Sequence, residues 1–220
     1  MSAEKTESVI LSVSPFRETS CVLRLFTRTR GLVHGMAKGV RSGGKSSVPV
    51  DRGFLLESQL YYKPNRDMHT LGSLHVINFF PGIRSDIIKS AVRDIALELY
   101  LKSITQSEPH PELFELIAAF FAEVEESPPS KSPYPRLWRF IFSYCRLAGF
   151  GIGEEAEGVN GIDSAVIKSV NGIGGADFDE LFSRPKGECI RVTEVLLQYC
   201  RRHFDIRAQF NSLEFLRSLR

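Results

Sequence analysis

The first 80 residues alternate apolar and polar positions in short runs, at the spacing of β-strands. Turn-like sequences such as RTRG and KPNRD separate these runs. The predicted strands are residues 8–14, 20–29, 32–38, 54–63 and 70–80. Five short strands within one small segment favour a closed barrel of the OB type.

The pattern changes to a helical period after Phe80. Apolar residues recur three or four apart from Ile88 to Leu99, which predicts an amphipathic helix with Ser85 or Asp86 as its N-cap. Further helices are predicted for residues 112–125, 136–148, 193–204 and 212–219. The third of these five helices is apolar nearly all round, so we expect it to be buried.

Local signals refine the two ends of this helical region. Glu98 and Lys102 form an i,i+4 pair of opposite charge on the first helix. Asn211 is the expected N-cap of the last helix, with Glu214 completing a capping box. Between them, residues 150–190 are rich in glycine and are interpreted as loops, with one short strand or hairpin near 165–170. The sequence therefore predicts an α+β protein, in which an OB barrel (1–80) precedes a helical domain (81–220).

Composition changes this picture little. The chain has 220 residues, of which 43% are hydrophobic and 25% charged, as in ordinary globular proteins. No apolar run reaches the length of a membrane span, and MSAEKTESVI lacks the apolar stretch of a signal peptide, so a cytoplasmic protein is expected. The four cysteines form no C-x-x-C pair, and histidines are dispersed. We therefore predict no metal, no cofactor and no catalytic residue.

Charge is distributed unevenly, although the net charge is only +2. Between Arg17 and Arg52 only Glu18 and Asp51 oppose the basic residues. Those basic residues are Arg17, Arg24, Arg28, Arg30, Lys38, Arg41, Lys45 and Arg52. Residues 86–126 have the opposite balance, with nine acidic and three basic side chains. Such asymmetry favours a surface for a polyanion at the N-terminal end, although two solvated faces of opposite sign remain an alternative.

One motif suggests nucleotide binding. Residues 39–46, GVRSGGKS, match the phosphate-loop pattern, in which Lys45 would reach the outer phosphates and Ser46 would hold Mg²⁺. That loop requires a helix directly after it, but Pro49 follows closely and SVPVDRG has no helical stripe. We interpret the match as accidental and keep a phosphate-loop enzyme as the alternative function.

The basic strand and loop fit nucleic acid better. Alternation along residues 20–29 places Cys21, Leu23 and Leu25 in the barrel core. Arg24, Phe26 and Arg28 fall on the other face, which gives cations for phosphates beside a ring on which a base could stack, unless Phe26 packs under a neighbouring element. A later strand repeats this pairing, with Tyr61 and Lys63 exposed and Tyr62 in the core.

The run VLRLFTRTRGLVHGMAKGVRSGGKS resembles the N-terminal signature of the RecO recombination-mediator family. It contains a strand ending in L-F-T, a charged turn with Gly31, a second strand, and then A-K-G-x-R before a basic K-S loop. LAGF at 147–150 and the closing NSLEFLRSL also resemble segments of that family.

The resemblance implies an OB barrel followed by a helical domain. It implies a protein of the cytoplasm and nucleoid that binds single- and double-stranded DNA without sequence preference and anneals complementary strands. The implied partners are RecR and the acidic tail of single-stranded DNA-binding protein, with RecA loading as the outcome. The implied DNA contacts are Arg28, Arg30, Lys38, Arg41 and Lys45, with Arg24 added from the strand alternation.

The chain departs from the family at one place. Many RecO proteins have two C-x-x-C pairs of a zinc module after the L-G helix end, whereas this chain has GIGEEAEGVNGIDSAV there. For the acidic tail, two groups of arginines near aromatic residues are candidates: Arg136 and Arg139 beside Trp138 and Phe142, or Arg201, Arg202 and Arg207 near Phe204. An OB adaptor that binds RNA or an acidic protein remains a further alternative.

Overall fold

A computed structural model describes residues 2–41, 48–105, 108–153, 162–171 and 176–219. The strands are β1 (Ser2–Phe16), β2 (Ser20–Thr27), β3 (Gly31–Ala37), β4 (Leu55–Tyr62) and β5 (Met68–Asn78). The helices are α1 (Pro81–Ser85), α2 (Ile87–Ser103), α3 (Pro111–Glu125), α4 (Tyr134–Leu147), α5 (Ser164–Asn171), α6 (Ala176–Glu180), α7 (Lys186–His203) and α8 (Asn211–Ser218), with a 3₁₀ turn at Leu181–Ser183.

The chain forms two compact units. The first contains Met1–Phe80 together with Ile104–Ala118, and the second contains Pro81–Ser103 together with Ala119–Arg220. The boundary falls inside α3, whose first half is assigned to the barrel unit. Of the helices in the described residues, none is both long and apolar enough to cross a membrane.

The five strands close into a barrel in the order β1-β2-β3-β5-β4. All neighbours are antiparallel except β3 and β5, which run parallel, as in an OB barrel. The interior side chains alternate along each strand, and the core includes Leu23, Leu25, Val33, Leu56 and Leu60. The predicted α+β class, a barrel followed by helices, is confirmed.

Strand β1 is much longer than its apolar pattern predicts. Its first half, from Ser2 to Val9, pairs with β4, and its second half pairs with β2 across an irregularity between Ile10 and Ser12. The polar residues before Ser8 therefore form a strand because β4 supplies their backbone hydrogen bonds, a partner that the local sequence does not reveal.

Helix α4 forms the centre of the second unit. Trp138, Leu137 and Ile141 are completely buried, which confirms the burial predicted for this apolar helix. The Trp138 indole N–H donates to the Thr193 hydroxyl of α7 at 3.0 Å, so the one polar atom of this ring is satisfied inside the core.

The glycine-rich segment contains more helix than predicted. The strand or hairpin expected near 165–170 is wrong, because these residues form α5. Asp163 caps it by accepting the Ala165 N–H at 2.9 Å, and Val166, Ile167 and Val170 are buried on one side. β-Branched residues in so short a run fit either structure, and packing decided for the helix.

Two other helix starts differ from the prediction. Helix α7 begins at Lys186, directly after Pro185, and not at Thr193. The N-cap of α8 is Phe210, which makes no side-chain cap, so the predicted capping box of Asn211 and Glu214 is wrong. The N-cap predicted for the helix now called α2 is confirmed at Asp86, whose carboxylate accepts the N–H groups of Ile88 and Lys89.

The cap of α8 comes from a distant part of the chain. The Glu98 carboxylate of α2 accepts the backbone N–H groups of Asn211 and Ser212 at 3.0 and 2.8 Å, and it also accepts the Ser212 hydroxyl. Lys102 lies 3.3 Å from the same carboxylate, as the i,i+4 spacing predicted. Glu98 thus satisfies the free N–H groups at the start of α8.

Removing this cap tests the arrangement. We expect Glu98→Ala to lower the free energy of unfolding by about 1–2 kcal/mol, because two helix N–H groups lose their acceptor. Glu214→Ala is the control. Glu214 is half exposed and forms its ion pair with Arg217, three residues away on the same helix, so its loss should cost about 0.5 kcal/mol or less. Urea unfolding of both variants measures the difference. Equal losses would contradict the assignment of the cap.

Candidate nucleic-acid interface

Arg28, a predicted DNA contact, is held by carboxylates and an aromatic ring. Its guanidinium donates to Glu7 at 2.8 Å and forms a second ion pair with Glu115 at the start of α3. It also lies 4.4 Å from the centre of the Phe114 ring. Two negative charges therefore oppose this cation, and its contacts attach the first half of α3 to the barrel.

Arg30 is held in the same way at the other end of the turn. Its Nε and Nη2 donate to the two oxygens of Glu4 at 2.9 and 3.0 Å, a bidentate arrangement. The guanidinium also lies 4.5 Å from the centre of the Tyr62 ring. This hydrogen bonding holds the pKa of Glu4 below its usual value. Arg30 thus connects the beginning of β1 with the end of β4.

Phe26 is not available to a base. Its side chain is fully buried, and so is that of Val9, its cross-strand neighbour. The hypothesis that Phe26 provides an exposed stacking ring between two arginines is therefore wrong. The outer face of β2 is covered near its C-terminal end, where Arg28 contacts α3, and is open only towards its beginning.

Arg24 lies on the open part of that face. It is exposed and donates from Nε to Nε2 of His34, its cross-strand partner on β3, at 3.2 Å. Burial and the charge of Arg24 lower the pKa of His34, which favours the neutral imidazole that accepts this hydrogen bond. Among the described residues, no carboxylate forms an ion pair with Arg24.

Lys38 and Arg41 lie at the end of the barrel where β3 finishes, and both are exposed. The backbone N–H of Arg41 donates to Thr19 at 3.0 Å, and its Nη1 donates to the carbonyl of Arg17 at 3.4 Å. These bonds fix Arg41 beside the turn between β1 and β2. Within the part of the chain that the structure describes, neither Lys38 nor Arg41 has an acidic partner.

A cavity of about 280 Å³ opens beside Lys38. Its lining consists of Ala37, Lys38, Gly39, Val40, Val48, Gly72, Ser73 and Leu74. Two glycines, Gly39 and Gly72, contribute no side chain to this lining, and Lys38 supplies its positive charge.

Lys45 lies outside the described residues, as does most of the phosphate-loop match, residues 42–46. Residues 48–53, which follow the loop, contain no helix in the structure. The helix that follows a phosphate loop therefore does not run through residues 48–53.

The tyrosines of β4 divide as alternation predicted. Tyr62 packs against the barrel core and stacks on His69 with a 4.5 Å separation between ring centres. Tyr61 and Lys63 are partly exposed on the outer side, where the Tyr61 ring lies against Gly72.

The roles of Arg28 and Arg24 can be distinguished by experiment. We expect Arg28→Ala to lower the free energy of unfolding by about 1–2 kcal/mol, because a cation–π contact and two partly exposed ion pairs are lost. Its affinity for single-stranded DNA should change less than about twofold, because carboxylates already neutralise the cation. Arg24→Ala should weaken DNA binding and leave the free energy of unfolding nearly unchanged. Urea unfolding and fluorescence anisotropy measure the two effects, and a large affinity loss in a stable Arg28→Ala protein would contradict this assignment.

The helical unit contains a second recess, of about 330 Å³. It is lined by Arg139, Phe142, Ser143, Arg146, Gly151, Ile152, Gly153, Val170 and Asn171. Phe142 and Arg139 belong to the first group predicted for an acidic tail, but Trp138 of that group is buried in the core and cannot meet a ligand. Arg136 of the same group lies over the Phe182 ring at 4.7 Å.

The residues of the second arginine group, Arg201, Arg202 and Arg207, differ in their surroundings. Arg201 donates to the carbonyls of Ile206 and Arg207, so it holds the turn between α7 and α8. Arg202 and Arg207 are exposed. Neither of them lines the 330 Å³ recess, so this group is the weaker candidate.

The thiol groups are buried. Cys145 and Cys200 lie on α4 and α7 with their sulfur atoms 3.6 Å apart, and this contact together with burial raises the pKa of Cys200. Residues 154–161, part of the segment where the zinc module would stand, lie outside the described residues. Elsewhere, the described side chains include no group of three histidine, cysteine or acidic residues placed to hold a metal.

Comparisons with known proteins agree with the fold. Residues 1–80 match the family model described as recombination protein O N terminal, and residues 84–165 match the model described as recombination protein O C terminal. Among curated relatives, the DNA repair protein RecO of Syntrophus aciditrophicus is 30% identical over 148 residues, which are 66% of this chain and 56% of the relative. The match therefore spans little more than half of that relative's length.

Two further relatives extend the comparison. The DNA repair protein RecO of Geobacter metallireducens is 23% identical over 86% of this chain and 81% of its own length. That of Prosthecochloris aestuarii is 34% identical over 54% of this chain and 46% of its own. Two family models covering the barrel and the following helices, together with these relatives, show that the chain belongs to the RecO family of DNA repair proteins.

Proposed function

We propose that this protein is a non-enzymatic recombination mediator that binds single- and double-stranded DNA and anneals complementary strands. The observation that carries the proposal is a set of exposed cations without acidic partners among the described residues, on the barrel of a DNA repair family. These cations are Arg24, Lys38 and Arg41. Such residues contact phosphates without reading base sequence.

Annealing needs no bond chemistry. A basic surface that holds two strands raises their local concentration and screens the repulsion between their phosphates. Base pairing then provides the free energy of the product. The face of β2 and β3 is suited to this task because Arg24 lies in its middle and Lys38 and Arg41 lie at one end, so that the backbone of a strand meets several cations in succession.

The proposal includes a place for the acidic tail of single-stranded DNA-binding protein. The 330 Å³ recess combines Arg146 and Arg139, the latter ion-paired with Glu123, with apolar walls from Phe142, Ile152 and Val170. A tail that ends in acidic and apolar residues matches both properties. RecR and RecA loading enter the proposal through family membership alone.

The test of the main proposal is annealing of two complementary fluorescent oligonucleotides, each coated with single-stranded DNA-binding protein. We expect the wild type to accelerate annealing without ATP. The acceleration should diminish when the acidic tail of single-stranded DNA-binding protein is deleted. Matched RNA strands serve as the comparison. Annealing of RNA only, or a requirement for ATP, would overturn the proposal.

The recess is tested separately. We expect Arg139→Ala with Arg146→Ala to weaken binding of a peptide with the tail sequence at least about tenfold, because two cations facing a carboxylate-rich ligand are lost. Binding of free DNA should stay unchanged. Arg202→Ala with Arg207→Ala is the matched control, and loss of peptide binding in that variant would assign the tail to the other arginine group.

A further inference from the structure

The turn between β1 and β2 presents an exposed aromatic ring among cations. Phe16 is 37% exposed, whereas phenylalanine is usually buried in a folded protein. By the register of β1 with β2, Phe16 faces Ser20 and lies on the same outer side of the barrel as Ser14 and Val22. It therefore continues the open face on which Arg24 is found.

Two arginines lie at this turn, which also contains the exposed Glu18. The Arg17 guanidinium lies 5.4 Å from the centre of the Phe16 ring. The carbonyl of Arg17 accepts a hydrogen bond from the Arg41 side chain, so Arg41 is fixed beside the same turn. Arg17 also has a left-handed backbone, with φ of 54°, which is uncommon for a residue with a side chain.

We propose that Phe16 is a stacking platform for an unpaired base of single-stranded DNA, with Arg17 and Arg41 holding the flanking phosphates. This inference rests on the proposed function. Within that function, it assigns to Phe16 the preference for single-stranded DNA. A base has a flat apolar face that covers an exposed ring, and its neighbouring phosphates complement the two guanidinium groups. In a duplex the bases already stack on one another, so their faces cannot reach Phe16.

Stacking and phosphate contacts differ in salt dependence, which makes the platform testable. We expect Phe16→Ala to bind a deoxythymidine 20-mer about tenfold more weakly than the wild type, with an unchanged slope of affinity against salt. Phe16→Tyr should restore the affinity. Arg17→Ala should lower both the affinity and the slope. Binding of B-form duplex and of an abasic 20-mer should be the same for Phe16→Ala and the wild type.

A matched control and a spectroscopic reading complete the experiment. Phe79→Ala removes another exposed ring of the barrel unit, 50% exposed, and should leave single-strand binding unchanged. The chain has one tryptophan, which is buried, so Phe16→Trp adds a reporter whose fluorescence should be quenched by the 20-mer and not by the abasic strand.

The outcomes separate the platform from the proposed function. If the wild type binds none of these DNAs, the proposed function fails. If the wild type binds DNA and Phe16→Ala binds the 20-mer equally well, Phe16 is not a base platform. The same conclusion follows if Phe16→Ala loses as much affinity for the abasic strand as for the 20-mer. In both cases the cations alone account for binding.

Discussion

Replacing Arg24, Lys38 and Arg41 together with alanine is expected to weaken binding of single-stranded DNA by one to two orders of magnitude at low salt. Each phosphate contact contributes about −0.7 to the slope of log affinity against log salt concentration, so three lost contacts should make that slope shallower by about 2. Annealing should fall with binding, because both strands must occupy the basic surface. Anisotropy titrations between low and moderate salt, with a parallel annealing assay, measure both quantities.

The control removes the same number of charges from the helical unit. Arg191, Arg202 and Arg207 are exposed there, and their combined replacement by alanine lowers the net charge equally. If binding depends on net charge alone, both triple variants weaken equally. If it depends on the barrel surface, only the first variant loses affinity and slope. Urea unfolding of both proteins confirms that the comparison concerns folded molecules.

The sequence could identify the basic segment but not which of its cations are neutralised. Arg28 and Arg24 look equivalent in the strand pattern, four residues apart on one face. Their difference comes from Glu7 on another strand and Glu115 on α3, both distant in sequence. Charge is a local property of the sequence, whereas compensation of charge depends on tertiary contacts.

The difference between local sequence properties and tertiary contacts also explains which parts of the fold could be predicted. The barrel interior could be predicted because the apolar alternation within each strand identifies its buried face. Leu23 and Leu25 of β2 are examples. Caps and short helices depended on partners elsewhere. Glu98 caps α8 from a position more than one hundred residues away, so the local capping-box pattern at Asn211 was wrong. Phe16 was missed because an apolar residue at a strand end usually belongs to the core.

Gly31→Ala is expected to be the most destabilising single substitution among the glycines of the barrel unit. Gly31 has φ of +63°, and a Cβ atom there would lie 1.9 Å from the backbone carbonyl oxygen of Glu108. Left-handed backbone costs a non-glycine residue about 1 kcal/mol, and backbone that cannot move aside adds a steric penalty. We expect a loss of about 3 kcal/mol or more in the free energy of unfolding, measured by urea unfolding.

Gly39→Ala isolates the conformational part of this effect. Gly39 has a similar φ of +73°, but within the described part of the chain no atom beyond its two neighbouring residues lies within 4 Å of the position that its Cβ would occupy. It should therefore lose only the conformational part, about 1 kcal/mol. The excess loss at Gly31 then measures how tightly the segment before α3 lies against the turn that Arg28 and Arg30 flank. Equal losses at both positions would mean that this segment moves away from the turn at little cost.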